Sequence, residues 1–371
     1  MSESGIRTIP RWKGRIMTSN WEAYVRRVTP YTPGEQPKDS RVIKLNTNEN
    51  PYPPCPGVFE ALAKMDASIL RKYPDPTIGE LVDMLAARNG LKSEQVFAGI
   101  GSDDVLAMCF LTFFNSPQPV LFPDITYSFY DVWASMLRIP FRQIPLDEHF
   151  TIDPEEYRGE NGGIVIANPN APTGVLLPLA DIEDIIKNNR SRIVIVDEAY
   201  IDFGGESALP LIHTYDNLIV VQTFSKSRSL AGMRIGCAFG NEKLIKYLND
   251  VKYSFNSYTM NTPSILTGAA SLRDEAYFRE TTGKIISTRE RVKPVLRELG
   301  FVFEDSKTNF IFARHEKVPA EELFVFLKTK GIYVRYFRQP RISNYLRITI
   351  GTDEEMDTLT EVLRQYLKER S

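Results

Sequence analysis

The chain has 371 residues, and its 45 lysines and arginines against 47 aspartates and glutamates give a formal net charge of −2. A nearly neutral chain has no overall field that would draw it onto nucleic acid or an anionic membrane, and 43% hydrophobic residues are ample for a large core. Three scattered cysteines without a CxxC pair indicate a reducing, cytoplasmic environment, and three scattered histidines form no metal motif. We therefore expect a globular protein with small-molecule partners and no metal.

The first 45 or so residues carry only short helical patterns and are rich in arginine, proline and tyrosine. We expect them to form an arm that packs on a smaller unit of the chain or on another subunit. The opening MSESGIRTIPRWKGR lacks the apolar stretch of a secretory signal, and the longest apolar run, near residues 105–114, is too short to cross a bilayer. Neither a signal nor a membrane span is predicted.

The middle of the chain alternates apolar runs with helical patterns. GIVIAN (163–168), RIVIVD (192–197) and NLIVVQT (217–223) are unbroken apolar runs, which is typical of strands covered by helices on both faces. Between the first two, LADIEDIIKNNR places isoleucines on one face of a helix. This spacing predicts βαβ units around a mostly parallel sheet.

The last third of the chain has a different pattern. We expect a helix over residues 321–330 ending at Gly331, two strands in IYVRYF and YLRITI, and a final helix that begins with the capping pair Thr352 and Glu355. The predicted fold is α/β, with a large domain over residues 46–255. Residues 1–45 and 256–371 form the arm and a smaller α+β domain.

Polar clusters follow the three central strands: NPNAPTG (168–174), DEAYIDF (197–203) and TFSK (223–226). Ligands of open α/β sheets bind outside the carboxyl ends of strands, so these clusters are candidates for one site. Each alone could be a helix cap, a turn or a surface lysine. Together they fit pyridoxal phosphate, which requires a lysine for a Schiff base, an acid for the pyridine nitrogen, a donor to the ring oxygen and an anion site.

These residues also carry a family resemblance. From residue 43 to 351 the chain resembles the fold type I pyridoxal phosphate enzymes, which share the aspartate-aminotransferase fold, and within them the histidinol-phosphate aminotransferase family. The resemblance implies a homodimer with a shared active site. The motifs that carry it are LNTNENP (45–51), RKYPDP (71–76), GSDD (101–104), PNAPTG (169–174), DEAYIDF (197–203), SKSRSLAGMR (225–234) and LRITIG (346–351).

The resemblance assigns three catalytic residues. Asp197 would hold the pyridine nitrogen protonated, because a carboxylate beside a cation favours both charged forms. Tyr200 would donate to the 3-oxygen of the ring. Lys226 would form the Schiff base with pyridoxal 5′-phosphate and, as a free amine, move the proton of the substrate α-carbon.

The cofactor phosphate needs hydrogen-bond donors, and GSDD precedes an apolar helix whose first N–H groups are free. Ser102 and Asp103 would lie there. By resemblance, Ser225 and Arg234 complete this cradle and Tyr73 reaches it from the second subunit. The dimer would then be required for activity.

Two further cofactor contacts follow from the resemblance. Tyr127 matches the aromatic residue that stacks on the pyridine ring. The family usually has an asparagine before the proline of its PTG motif, where this chain has Ala171, so Asn168 or Asn170 would have to replace it. We favour Asn168, because it ends the strand. The bond from Ala171 to Pro172 is a candidate cis peptide.

Three residues bear on the substrate. Arg347 alternates with apolar residues in YLRITI, so it lies on the opposite strand face and suits a substrate carboxylate. By resemblance, Tyr31 and Arg335 bind the substrate phosphate. The implied reaction is a ping-pong exchange of histidinol phosphate and 2-oxoglutarate with imidazole-acetol phosphate and glutamate, in histidine biosynthesis.

Three other functions stay open at this point. An aminotransferase for aromatic amino acids would keep every cofactor residue. A related decarboxylase of a phosphorylated amino acid would release carbon dioxide. A ligand-binding protein of the same fold would not form the Schiff base, although the presence of Lys226, Asp197 and Tyr200 argues against it.

Overall fold

The structure is a computed structural model that describes residues 20–39 and 41–370, so the first 19 residues of the predicted arm lie outside the described residues. The strands, in chain order, are β1 (Ile43–Leu45), β2 (Val96–Gly99), β3 (Val120–Pro123), β4 (Phe141–Ile144), β5 (Gly163–Ala167), β6 (Val194–Asp197), β7 (Leu218–Thr223), β8 (Gly236–Gly240), β9 (Phe301–Val302), β10 (Phe310–His315), β11 (Ile332–Tyr336) and β12 (Leu346–Thr349). The α-helices are α1 (Pro56–Lys64), α2 (Gly79–Asn89), α3 (Ser102–Phe113), α4 (Tyr130–Leu137), α5 (Leu179–Asn188), α6 (Glu242–Phe255), α7 (Thr262–Leu272), α8 (Glu275–Glu298), α9 (Ala320–Thr329) and α10 (Asp353–Lys368).

The three apolar runs of the sequence form neighbouring parallel strands, β5, β6 and β7, in a seven-stranded sheet. The strand order is β2-β8-β7-β6-β5-β3-β4, and β8 runs antiparallel to both of its neighbours. The mostly parallel α/β fold predicted from the sequence is therefore confirmed. Because β5, β6 and β7 run in the same direction, their carboxyl ends lie at one edge of the sheet.

Helices cover both faces of this sheet, which explains why its strands are apolar without alternation. Val194 and Val196 lie in the core on one face, whereas Ile195 lies in the core on the other face. On the first face, α5 buries Ile182 and Ile185 of the predicted isoleucine stripe. The crossover helix predicted between β5 and β6 is thus confirmed.

The smaller sheet has five strands in the order β1-β11-β12-β10-β9, and β1 pairs parallel with β11. α9 ends before Gly331, and α10 begins with the capping box of Thr352 and Glu355, as predicted. The predicted domain boundary at residue 255 falls at the end of α6. The next helix, α7, packs against α1 and α2.

The described part of the N-terminal arm contacts the smaller sheet, helix α9 and the residue before α4. Glu35 forms an ion pair of 2.7 Å with Lys328 on α9, and the Thr32 carbonyl accepts a hydrogen bond of 3.0 Å from Arg335 on β11. Tyr31 stacks on Phe129, which precedes α4, with 4.4 Å between ring centroids. The arm therefore connects the smaller sheet to the start of α4.

A buried arginine joins the two parts of the chain. Arg289 on α8 is 2% exposed, and its Nη1 donates to the carbonyls of Phe203 and Thr308 at 2.8 Å each. Phe203 lies in the loop after β6, and Thr308 lies just before β10. The guanidinium also forms an ion pair of 2.8 Å with Glu290.

Among the residues that the structure describes, no helix combines the length and the apolar character that crossing a membrane would require.

A second acidic residue, Glu198, is buried directly after Asp197. Its carboxylate accepts hydrogen bonds from the Ser207 hydroxyl (2.6 Å), the Ala208 backbone N–H (2.6 Å) and the Gln222 amide (2.9 Å). Burial raises the pKa of Glu198 to about 7, although these hydrogen bonds oppose the shift. The carboxylate anchors the loop that follows β6.

Replacing Glu198 with glutamine should change how stability depends on pH. A carboxyl group whose pKa is raised on folding stabilises the fold below its unfolded pKa, and this contribution is lost as pH rises through the folded value. Between pH 4.5 and a pH above 7, the free energy of unfolding of the native chain should fall by about 3 kcal/mol because of Glu198. The E198Q variant should not show this fall. Urea denaturation of the cofactor-free proteins at several pH values measures the difference.

The control is E206Q, which removes the charge of an exposed carboxylate in the same loop. Its unfolding free energy should follow that of the native protein at every pH. A difference between E198Q and the native protein that stays constant with pH would contradict the assignment.

Candidate active site

The polar clusters after β5, β6 and β7 meet at one edge of the sheet. Ala167 pairs with Asp197 in register, and Asp197 pairs with Val221. Asn168, Asp197 and Lys226 therefore project from adjacent strand ends. The predicted convergence of these three segments is a property of the parallel sheet.

Asp197 is the buried acid of this edge. It is 4% exposed, and burial raises the pKa of its carboxyl group to about 6. Two hydrogen bonds oppose that shift: Tyr130 Oη donates to Oδ2 at 2.8 Å, and the Ala199 N–H donates to Oδ1 at 3.2 Å. Tyr130 carries no functional signal in the sequence, because an aromatic residue in an apolar stretch is usually a core residue.

Lys226 is half-buried and lies against residues 46–50, which we call the 46–50 segment. Its Nζ donates to the Thr47 carbonyl at 3.2 Å and lies 5.8 Å from the centroid of the Tyr200 ring. From the same segment, the Asn50 amide donates to the Lys226 carbonyl at 3.0 Å. The 46–50 segment therefore contacts both the side chain and the backbone of the lysine.

Tyr200 is 8% exposed, and its phenol oxygen lies in the same cluster. Asn48 Nδ2 donates to Tyr200 Oη at 2.8 Å, and Phe310 packs edge-on against the ring with 5.1 Å between centroids. Asn48 is a second residue that sequence reasoning did not single out. The only available signal was its place in the LNTNENP motif.

Ser102, Asp103, Ser225 and Arg234 form a group at the N-terminus of α3. Arg234 donates to Ser225 Oγ at 3.4 Å and forms an ion pair of 3.3 Å with Asp103. The backbone of Gly101 lies close to the Arg234 side chain: a Cβ added at Gly101 would lie 2.5 Å from Arg234 Nη2. Gly101 itself has a φ of 94°, which favours glycine. A guanidinium and free helix N–H groups together can hold a phosphate.

Tyr127 connects this group to the rest of the site. Its hydroxyl donates to Asp103 Oδ1 at 2.6 Å, and burial followed by the charge of Asp103 raises its pKa well above the usual range. The ring of Tyr127 lies 5.4 Å from that of Phe129, on which Tyr31 stacks. Tyr31, Phe129 and Tyr127 thus form one aromatic wall.

Two arginines lie side by side on the smaller sheet. Arg335 on β11 is directly opposite Arg347 on β12. Arg347 donates to the Asn46 carbonyl at 3.1 Å, whereas its buried Nε has no hydrogen-bond partner among the described residues. Burial lowers the pKa of Arg347, and the charge of Arg335 adds to this effect. Two adjacent guanidinium groups can bind an anion with two or more oxygens.

Tyr73 is not brought to the site within one chain. It is 80% exposed and stacks on Tyr258 with 4.6 Å between ring centroids. The predicted role of Tyr73 concerns the other subunit, so this position neither tests nor opposes it.

Asn168 and Asn170 both bind the local backbone. The Asn168 carboxamide exchanges two hydrogen bonds with the backbone of Leu177, at 2.8 and 3.0 Å. The Asn170 amide donates to the Ile125 carbonyl at 2.9 Å. The Ala171–Pro172 peptide is cis, as predicted, and so is the peptide before Pro169. A contact between Asn168 and the cofactor ring stays a prediction.

Comparisons with known proteins identify the family of this chain. The chain matches the family described as aminotransferase class I and II over residues 40–363. The histidinol-phosphate aminotransferase of Brachyspira hyodysenteriae is 54% identical over 342 residues, which are 92% of this chain and 97% of that protein. That of Lactococcus lactis subsp. cremoris is 52% identical over 351 residues, which are 95% of this chain and 99% of that protein.

A solved structure is similar over most of the chain. The histidinol-phosphate aminotransferase from Sinorhizobium meliloti in complex with pyridoxal-5′-phosphate has a TM-score of 0.80 at 24% identity, and the match covers 89% of this chain and 92% of that one. At this identity the likeness supports the fold, whereas the sequence relatives support the family. This chain belongs to the aminotransferase class I and II family and, within it, to the histidinol-phosphate aminotransferases.

Proposed function

We propose that this chain exchanges the amino group of histidinol phosphate with the oxo group of 2-oxoglutarate, giving imidazole-acetol phosphate and glutamate in histidine biosynthesis. The names of its relatives support this reaction. The structural observation that supports this reaction is the pair of Arg335 and Arg347 on neighbouring strands. Arg347 and Lys226 both donate hydrogen bonds to carbonyls of the 46–50 segment, so the arginine pair lies near the lysine. Both substrates carry an anionic group that such a pair can bind.

Pyridoxal 5′-phosphate is the cofactor, and the residues present fit it. When bound, it supplies a carbonyl carbon that takes up the substrate amine and a protonated ring that accepts the electrons of the broken bond. Ser102, Ser225 and Arg234 would hold its phosphate, with the N–H groups at the start of α3. Asp103 would keep Arg234 and Tyr127 in place, since its two carboxylate oxygens bind them.

The catalytic roles follow from the positions of three side chains. Asp197 would pair with the protonated pyridine nitrogen, which lowers the pKa of its carboxyl group because an opposite charge favours ionisation. Tyr200 would donate to the ring 3-oxygen. Lys226 would bind the cofactor covalently and, as a free amine, move the proton of the substrate α-carbon. Tyr127 would pack on the face of the ring.

The same pocket would serve both halves of a ping-pong exchange. Arg335 and Arg347 would bind the phosphate of histidinol phosphate in one half-reaction and the distal carboxylate of the dicarboxylic substrate in the other. Tyr31 would close the pocket from the arm, because it stacks on Phe129 beside Tyr127. An exclusively aromatic substrate would not require the second guanidinium.

The chain would act as a cytoplasmic homodimer. Tyr73 is exposed in an apolar patch that also includes Leu70, Phe255 and Tyr258, which are 59%, 72% and 45% exposed. Burial of such a patch against a second copy would place Tyr73 at the interface, as its predicted contact with the partner's cofactor phosphate requires. Three free, buried cysteines are consistent with a reducing compartment.

Replacing Tyr130 with phenylalanine should weaken cofactor binding about tenfold near neutral pH. Loss of the 2.8 Å hydrogen bond raises the pKa of Asp197, so less of the carboxylate is ionised to hold the ring nitrogen. Absorbance titration of cofactor-free protein measures the affinity. The control is Y157F, because the buried Tyr157 hydroxyl has no hydrogen-bond partner among the described residues. Equal affinities for Y130F and Y157F would contradict the role of Tyr130.

Replacing Arg335 with alanine should lower kcat/KM for histidinol phosphate by about one hundredfold, because a charge-assisted hydrogen bond to phosphate is lost. Amino donors without an anionic group should change by less than about threefold. The assay uses a donor panel with histidinol phosphate, histidinol, glutamate and aromatic amino acids, and it records carbon dioxide release. The control is R338A, since Arg338 is 85% exposed on the same segment.

Two outcomes of that panel would contradict the proposal. One is an equal loss for histidinol and histidinol phosphate in R335A. The other is a native protein that prefers aromatic amino acids or releases carbon dioxide from a phosphorylated amino acid.

Mixing two inactive variants tests the shared site. K226A lacks the essential amine, and Y73F lacks the hydroxyl that would reach the partner's cofactor. A mixed dimer holds one site with both native residues, so refolding the two variants together should restore about a quarter of the native activity. Mixtures that show only the sum of the separate activities would mean that Tyr73 does not act across the dimer.

A further inference from the structure

We propose that Asn48 is a positioning residue for Tyr200: its amide directs the phenol proton toward the 3-oxygen of the cofactor ring. The inference rests on the proposed function, because it concerns how this chain holds pyridoxal 5′-phosphate. It starts from the 2.8 Å hydrogen bond between Asn48 Nδ2 and Tyr200 Oη.

The orientation of the Asn48 amide follows from its neighbours. The Asn48 backbone N–H can only donate, and it donates to Thr349 Oγ1 at 3.0 Å. The Thr349 hydroxyl donates its own proton to Asn48 Oδ1 at 3.1 Å. With the amide oxygen facing Thr349, the NH₂ group must face Tyr200.

This orientation decides where the Tyr200 proton points. An NH₂ group has no lone pair to offer, so Tyr200 Oη can only accept from Asn48. The single phenol proton must then be directed to another acceptor. In the proposed site that acceptor is the 3-oxygen of the ring. If Tyr200 instead donated its proton to Asn48, it would face the ring oxygen with a lone pair.

The backbone of Asn48 is held in place independently of its side chain. Its carbonyl accepts a hydrogen bond of 3.0 Å from Asn309 Nδ2, and its N–H is bound by Thr349. Asn48 has a φ of 55°, a left-handed conformation that asparagine and glycine tolerate best. Both partners belong to the smaller sheet region, so the smaller sheet sets the position of this amide.

The lack of an amide at Ala171 makes the direction of the Tyr200 proton more important. The family places an amide donor for the ring oxygen at this position, but Ala171 has none, and the amides of Asn168 and Asn170 bind the local backbone. Ala171 and Tyr200 share one core cluster. Donation to the ring oxygen therefore depends on the Tyr200 phenol, whose proton Asn48 directs.

Replacing Asn48 with glycine tests this. Glycine keeps the left-handed backbone and its hydrogen bonds and removes only the carboxamide. The readout is the pH titration of the visible absorbance of the holoenzyme, which follows the proton shared by the Lys226 nitrogen and the ring 3-oxygen. A donor to that oxygen favours proton loss, so N48G should move the midpoint upward by about half a pH unit. T349V, which frees the amide to rotate, should move it in the same direction.

A double-mutant cycle with Y200F identifies the path. Y200F alone should raise the midpoint further than N48G, and N48G should add nothing to Y200F. The control is N89A, because the Asn89 amide donates to the Leu85 carbonyl on α2 and not to Tyr200, and it should leave the midpoint unchanged.

Each outcome decides the matter. An unchanged midpoint in both N48G and T349V overturns the inference, and so does a shift of N48G that persists in the Y200F background. If the native protein shows no visible band, or borohydride reduction labels an amine other than Lys226, the proposed function fails and the inference fails with it.

Discussion

The constraint on which the site depends is a carboxylate at the end of an apolar strand. Asp197 follows Val194, Ile195 and Val196, which are all fully buried, so the same packing that stabilises the sheet removes Asp197 from water. No lysine or arginine in the described part of the chain forms an ion pair with it, and its hydrogen bonds come from Tyr130 and Ala199. A buried carboxylate of this kind is stabilised by a cation that fits beside it, and a protonated pyridine is such a cation.

The 46–50 segment brings the groups of the two sheets into one site. It begins at the end of β1 in the smaller sheet, and its carbonyls accept hydrogen bonds from Arg347 and Lys226. Its Asn48 amide binds Tyr200. The proposed anion-binding arginine, the lysine and the phenol are therefore held by five consecutive residues, and a shift of β1 would displace all three contacts.

The sequence predicted the central strands, the apolar helix that follows GSDD and the convergence of Asp197 and Lys226, because these depend on local periodicity and on the parallel connection of strands. Asn48 and Tyr130 could not be found in this way. Each contacts a residue more than sixty positions away, and the contact depends on how two layers pack. Tyr73 is a different case, because its proposed partner lies on another chain. Asn168 was placed correctly at a strand end, but the direction of its amide follows from the turn to Leu177.

Arg289 has a consequence for how the protein unfolds. Its buried guanidinium bonds to carbonyls on both sides of the junction between the larger sheet and the smaller one. Pulling these parts away from each other would leave a charged group in the core without two of its acceptors, at a cost of several kcal/mol. Tyr200 and Phe203 of the larger part also pack in the core cluster of the smaller sheet. The two halves are thus expected to melt in a single cooperative transition.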